Sequence, residues 1–439
     1  MLNLSTVTSN FSSEYLRPIP RLGLLLFCLI SFGLSAHQTL GYFTRGPAFT
    51  DFRIFMTGID IVKAGNGHDL YKFRTQNVAQ VKLYPETRVS GMLPFNHLAY
   101  ELLFYWPLSY LPYHSALIVW ALLNTGLICL IAWLLRPYTM AIRQVTGLPI
   151  VLFLIAAYPV IYVLGEGQDS LLFLLFVVLS FRAMNSERPF LAGLLLALGC
   201  FKIHLALLIA FFVLLLPRKW KGVAGFATGS ASVAGISLLM VGPNVISDYL
   251  YMLKNQDMMT PWGFIPWFMP NLRGFFRWTL RHWLDVGQIL PVVFMASAIV
   301  GIVATWLVLR TPDSRDSGPL YSVAIVSTIL ISYHLHVQDL AMVMLPMLLL
   351  TEWALGNYLA GNKLSLGWVL ALSASVAGIY LYRIAVEPYP LLIMLACYLT
   401  IPLFLLWIVA FRIFCEGTAG SSGAAWNNSS GVPTFQTGD

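Results

Sequence analysis

The chain has 439 residues, 58% of them hydrophobic and only 10% charged, with 26 Lys and Arg against 19 Asp and Glu, and its mean hydropathy is +0.75. Soluble proteins carry about 25% charged residues, so this balance excludes a water-soluble enzyme, a disordered chain and a nucleic-acid binder. The apolar residues run in unbroken blocks rather than alternating, which excludes a membrane barrel; the fold class expected is all-α, a polytopic transmembrane helical bundle.

Residues 1–20 are polar and are expected to be disordered. Apolar blocks follow at 21–42, 93–111, 115–135, 148–164, 168–183, 189–216, 222–241, 287–309, 319–333, 338–352, 366–382 and 390–411. At roughly 20 apolar residues per crossing, these give about ten to twelve spans. The membrane domain is placed at 21–415, and the Gly/Ser/Asn-rich segment 416–439 reads as a disordered tail. No small-residue cleavage site follows the first block and further blocks come after it, so it reads as a retained span rather than a signal peptide. Cys28, Cys129, Cys200, Cys397 and Cys415 are scattered singly, which fits neither a disulfide framework nor a zinc site.

Basic residues orient the chain. Arg136, Arg143, Arg182, Arg188, Arg218, Lys219, Lys221, Arg310, Arg315, Lys363 and Arg412 lie in connections or at block ends, and the positive-inside rule places them together on the cytoplasmic side. That requires two irregular blocks: 93–111, interrupted by Pro107, dips in and returns, and 189–216 forms two half-helices meeting near Lys202; the alternative makes both single full crossings but puts Gly165–Gln168 on the opposite face from the first loop. Two larger segments then face the other side. In the first, residues 43–92, Phe52, Phe55, Met56, Ile59 and Val62 recur at helical spacing and Gly65-Asn66-Gly67 ends the run; this amphipathic helix is expected to lie on the membrane surface. The second, residues 242–286, mixes Trp262, Trp267, Trp278 and Trp283 with Arg273, Arg277 and Arg281, an interfacial composition.

Ionisable groups inside apolar blocks are costly and mark function. They gather at three junctions: Glu166 and Asp169 about Gly165–Gln168, Lys202 with His204, and His334, His336 and Asp339. Asp51, at the start of the amphipathic helix, reads either as a helix cap or as a general base, and a cap with both oxygens occupied is a poor base. Lys202 either snorkels to an interface or binds an anion such as phosphate, with His204, His334 and His336 as further donors. A His/His/Asp metal site competes with that reading, but the histidines lack i,i+4 spacing; no metal or other cofactor is expected. Glu166 and Gln168, flanked by glycines, form either a structural turn or a site for hydroxyl-rich matter, and Asp169 and Arg53 join them as sugar- or acceptor-binding candidates. A carboxylate, a deep cation and a hydroxyl-binding turn on one face are what transfer of a sugar from a lipid phosphate requires.

The sequence resembles the GT-C class of integral membrane glycosyltransferases, and within it glycosyltransferase family 87. The resemblance is carried by Phe49-Thr50-Asp51-Phe52, the Gly65 to Tyr71 stretch, Leu93-Pro94-Phe95, Trp106-Pro107-Leu108 with Leu111-Pro112, Gly167-Gln168, Ala192-Gly193 leading to Lys202, and the His334/His336 segment, in order over about residues 21–350. It implies a polyprenyl-phosphate sugar donor, mannose or a similar sugar, an inverting mechanism, a catalytic aspartate at Asp51, and contact of Lys202 and His334 or His336 with the donor phosphate. A lipid or glycan acceptor and an active site on the extracytoplasmic face of the cell membrane follow from the same likeness. The family's common Tyr-Pro-Pro pattern reads Leu93-Pro94-Phe95-Asn96 here, and Asp169 follows Gln168 where an amide or small residue is usual. A secondary transporter and an O-antigen-type ligase or polymerase are the alternatives.

Overall fold

The computed structural model describes residues 18–44, 50–259, 265–310, 317–361, 367, 371–372 and 396–419, and among these residues the chain forms helices and no strand. The principal helices are α1 (Pro18–Thr44), α2 (Phe52–Lys63), α3 (Phe73–Leu83), α4 (Tyr113–Leu135), α5 (Ile150–Ala156), α6 (Tyr158–Glu166), α7 (Ser170–Asn185) and α8 (Pro189–Ala197). They continue with α9 (Ile203–Ala210), α10 (Trp220–Val241), α11 (Val245–Met259), α12 (Leu272–Thr279), α13 (Val286–Arg310), α14 (Gly318–Ile331), α15 (Met344–Leu359) and α16 (Thr400–Ala419). The all-α, multi-pass bundle read from composition is the observed architecture.

Large apolar side chains face outward along its flanks: Leu122 on α4, Leu239 on α10, and Phe294 and Ile302 on α13 are all more than 60% exposed. Such a surface is stable only against lipid. In contrast, α14 buries most of its side chains, α15 all of those from Met344 to Leu350, and α7 is enclosed along most of its length. Among the described residues, four helical stretches are long and apolar enough to cross a bilayer alone, with a bent pair as a fifth. The other described apolar blocks fold as shorter helices, fewer straight crossings than block counting suggests.

Neither irregular block forms a straight spanning helix. In the first, residues 93–98 are extended, and single helical turns follow at Ala99–Glu101, Leu102–Tyr105 and Trp106–Tyr110, none of them long enough to span. In the second, α8 and the helical run Cys200–Leu215 are bent by 70° at Lys202's doorstep. The bend exposes backbone groups that lipid cannot satisfy. Tyr100 supplies the partner, its hydroxyl donating to Leu198 O at 2.8 Å and accepting from Phe201 N at 2.9 Å.

Three expectations change. The block 148–164 is two helices, because Pro159 has no N–H with which to continue a helical ladder and opens a new helix instead. The apolar face of α2 lies on protein rather than on lipid: Phe52, Phe55 and Ile59 are buried in a cluster with Tyr71, Phe95, Tyr105 and Trp120. Arg273 is turned inward, 8% exposed, although Arg281 and exposed Trp283 do suit an interface. The N-terminal expectation for 1–17, the motif residue Phe49, Trp262, Arg315, Lys363, most of the block 366–382, residues 390–395 and the tail from 420 lie outside the described residues. Helix α16 itself runs past Glu416 to Ala419.

The bundle has two chemically distinct ends. At one, Glu352 of α15 accepts from Ala141 N and Ile142 N at 2.7 and 2.9 Å, Arg182 donates to Leu134 O at 3.1 Å, and Ser317 N donates to Asn185 at 2.9 Å. These bonds gather the basic connections after α4 and α7 together. The candidate residues lie at the other end of α7, about 24 Å away by helical rise.

Helix α8 packs on α10 without side chains between them: a Cβ on Gly193 would lie 2.0 Å from Gly222 O, and one on Gly225 2.0 Å from Phe190 O. Small residues allow such contact, which is a main source of helix association in membranes. Gly193→Ala is expected to destabilise the folded protein by about 1–3 kcal/mol through overpacking. Gly126→Ala, whose Cβ would meet nothing within 4 Å, should leave the melting temperature in detergent unchanged. For topology, in a chain lacking exposed Cys129, a cysteine at Asn66 should react in intact cells with a membrane-impermeant maleimide. One at Lys221 should react only after permeabilisation, and equal reactivity would contradict the two-ended arrangement.

Candidate active site

Asp51 stands where the chain enters α2, and its side chain makes no capping bond to that helix. The cap comes from another element. Glu166, the last residue of α6, accepts from Asp51 N through Oε2 at 3.1 Å, satisfying an amide that helix starts leave free. Gln168 Nε2 donates to Asp51 Oδ2 at 2.5 Å, and Trp120 Nε1 donates to Gln168 O at 3.1 Å. Gly167 makes this arrangement possible. Its φ of +68° suits glycine, and a Cβ there would lie 2.7 Å from Phe52 Cβ, so the turn rests directly on the first residue of α2. Burial raises the Asp51 pKa above the ordinary carboxylate value; the Gln168 hydrogen bond and the positive charges of His336, Arg53 and Lys202 act against that rise.

The second group centres on Lys202, 5% exposed. Its Nζ lies 2.8 Å from Asp169 Oδ1 and 2.8 Å from Asp339 Oδ1. Asp339 also accepts from Ser170 Oγ at 3.2 Å and from His336 N at 3.0 Å. The other Asp169 oxygen lies 3.3 Å from His97 Nδ1, which is 2.6 Å from Glu101 Oε2. His97, Glu101 and Asp169 thus each offer a ligand atom within 4.8 Å of the others.

The third group is basic. The ring centroids of His334 and His336 are 4.6 Å apart, and those of His204 and His334 are 6.5 Å apart. Buried His204 Nε2 and His334 Nδ1 have no hydrogen-bond partner among the described residues. Arg273 lies over the Tyr333 ring at 3.7 Å and donates to Tyr333 O and Oη, each at 3.0 Å. Its helix is held by Asn271, which caps it by accepting from Gly274 N at 2.8 Å and donates to Ser332 O at 2.9 Å. An anion between these rings would meet donors on several sides.

The structure therefore brings Asp51, Glu166 and Gln168 together, and joins Asp169, Lys202 and Asp339 to the His204, His334 and His336 group through the His336–Asp339 bond. Arg53 donates to Thr87 Oγ1 at 3.2 Å and Gly91 O at 2.9 Å, anchoring the end of the first loop, while its charge still acts on Asp51. Glu166 and Gln168 direct their polar atoms to Asp51, so they serve first as its holders. His97, Glu101 and the inward role of Arg273 escaped the sequence reading. His97 and Glu101 did carry a signal in their i,i+4 spacing inside an apolar block; Arg273 carried none, since its aromatic neighbours suit an interface equally well.

The family model of glycosyltransferase family 87 matches residues 101–332, more than half of the sequence. The chain belongs to that family. The match begins at Glu101 and takes in Glu166, Gln168, Asp169, Lys202, His204 and Arg273. This family 87 member is also 23% identical over 280 residues to the polyprenol-phosphate-mannose-dependent alpha-(1-2)-phosphatidylinositol pentamannoside mannosyltransferase of Mycolicibacterium smegmatis. The aligned stretch covers 63% of this chain and 63% of the relative's length.

If Gln168 and Glu166 hold Asp51, their loss should move different observables. Gln168→Ala removes a bond that lowers the Asp51 pKa, so the acid limb of any activity that depends on ionised Asp51 should shift to higher pH. Glu166→Gln keeps an acceptor for Asp51 N and should retain most activity, whereas Glu166→Ala should lose about tenfold or more, the scale of a misplaced catalytic group. Equal pH profiles for all three variants and the parent would remove Asp51 from the titrating role.

Proposed function

We propose that this protein transfers a single sugar, mannose or a close relative, from a polyprenyl-phosphate donor to a hydroxyl of a lipid or glycan acceptor, on the extracytoplasmic face of the cell membrane. The observation that carries this reading is Asp51 held by Gln168 with its backbone amide capped by Glu166, beside a buried basic seat. Asp51 takes the proton of the acceptor hydroxyl. The acceptor oxygen attacks the anomeric carbon as the carbon–oxygen bond to phosphate breaks, and that bond's electron pair leaves with polyprenyl phosphate. The configuration inverts. Phosphate is a stable leaving group, so a base and fixed positive charge suffice without a general acid.

His334 and His336 receive the departing phosphate, with His204 and the stacked Arg273 beside them. Two of the three donors of Lys202 are directed at carboxylates, leaving one for a ligand. Asp169 acts chiefly as a partner of Lys202. An apolar groove of about 490 Å³ supports a lipid-linked donor: it is lined by Leu208, Phe212, Ile302, Trp306 and Ile331, among others. The relative's dependence on polyprenol-phosphate-mannose agrees with this donor class.

The test is incubation of purified protein with a panel of polyprenyl-phosphate sugars and candidate acceptors, following release of free polyprenyl phosphate. Asp51→Asn should fold normally and lose at least about a hundredfold in rate, within the range that a general base supplies. Only ionised Asp51 accepts the proton, so the rate of the parent should fall as pH drops through the Asp51 pKa. Because burial raises that pKa, the fall should begin above the ordinary carboxylate range. Undiminished transfer by Asp51→Asn would overturn the assignment.

A further inference from the structure

We propose that His97, Glu101 and Asp169 bind one divalent cation, through His97 Nδ1, both oxygens of Glu101 and one oxygen of Asp169. The donor set is a nitrogen and carboxylate oxygens, a hard-to-borderline combination that suits ions such as Mn²⁺. The spacing fits. Ligands about 2.1 Å from a metal in octahedral geometry lie about 3 Å from one another, and His97 Nδ1 is 2.6 Å from Glu101 Oε2 and 3.3 Å from Asp169 Oδ2.

One further observation asks for a cation here. Glu101 is fully buried, and its second oxygen, Oε1, has no hydrogen-bond partner among the described residues. A buried carboxylate oxygen without a partner carries its full desolvation cost. A divalent ion bound by both oxygens of Glu101 gives Oε1 a partner. The surroundings are those of a built site, since the rings of Phe55, Phe95 and Phe201 lie 6.0, 5.9 and 6.4 Å from the His97 ring. Tyr71 Oη also donates to His97 O at 3.0 Å, fixing the backbone that carries the ligand. The ion would sit one carboxylate away from Lys202, adding positive charge to the wall facing the proposed phosphate seat. This departs from the metal-free expectation drawn from the sequence.

Binding of the ion is measurable without donor, acceptor or turnover, so its outcome is separate from that of the transfer reaction. Purified full-length protein in detergent, stripped with chelator, is titrated with Mn²⁺ and followed by electron paramagnetic resonance and by metal content after desalting. One Mn²⁺ per chain is expected, with a rise in melting temperature and a nitrogen coupling from one imidazole in pulsed spectra. Glu101→Gln and His97→Gln should each weaken binding more than about tenfold, whereas Asp51→Asn should bind as the parent does. The pulsed measurement needs no variant, so misfolding of a substituted chain leaves the question decidable. Sub-stoichiometric Mn²⁺, absence of the imidazole coupling, or affinity unchanged in both ligand variants would overturn the site in favour of a protonated His97 bridging two carboxylates.

Discussion

An ammonium group enclosed by protein in a membrane bundle has to be paired, and the pairing of Lys202 organises the rest of this site. Its two carboxylate partners come from different places, Asp169 from the turn between α6 and α7 and Asp339 from the turn leading into α15, while Lys202 itself stands at the bend after α8. One charge thus fixes three junctions. Leaving either carboxylate buried without its partner costs about 3–5 kcal/mol, enough to hold a local geometry that the short helices around it would not hold by themselves. The bend is secured from its other side by the Tyr100 hydroxyl, which satisfies the amide and carbonyl that the break sets free.

From this frame follows a division of labour at Asp51. A carboxylate at a helix start is drawn into capping, and a capping carboxylate has little basicity to spare. Here the duties are separated: Glu166 reaches across from α6 to the Asp51 amide, Gln168 orients one carboxylate oxygen, and the other oxygen is spared both tasks. The turn that provides both side chains begins the helix whose first residues also provide Asp169 and Ser170 to the ion-pair group. The base side and the phosphate side of the proposed reaction are consecutive residues of one turn.

Much of this was legible in the sequence because charge is scarce there. Once the basic connections are assigned to one face, the acids and histidines left in apolar blocks stand out, and Glu166, Asp169, Lys202, His334, His336 and Asp339 do converge. The two broken blocks were legible for a related reason: Pro107 and a lysine in mid-block each conflict with a straight span. What the sequence could not convey was direction. Arg53 follows Asp51 closely and reads as a site residue, yet it donates to Thr87 and Gly91, while its charge acts on Asp51. The apolar face of α2 reads the same whether lipid or the aromatic cluster about Phe95 and Tyr105 covers it, because burial in either removes it from water. His97 and Glu101 lay in a block whose aromatic character masked their spacing, and their meaning depends on Asp169, which is distant in sequence.

The contact of Gly167 with Phe52 divides the segment between α1 and α4 into two mechanical regimes. From Thr50 to about Ile59 the backbone is wedged against the bundle, and any change in chain length there would shift Asp51 relative to the turn that orients it. The stretch from Ala64 to Asn66 is exposed and ends in tight turns, so residues added there leave the wedge in place. Length is therefore tolerated downstream of the wedge, where the loop can grow while Asp51, Glu166 and Gln168 keep their register.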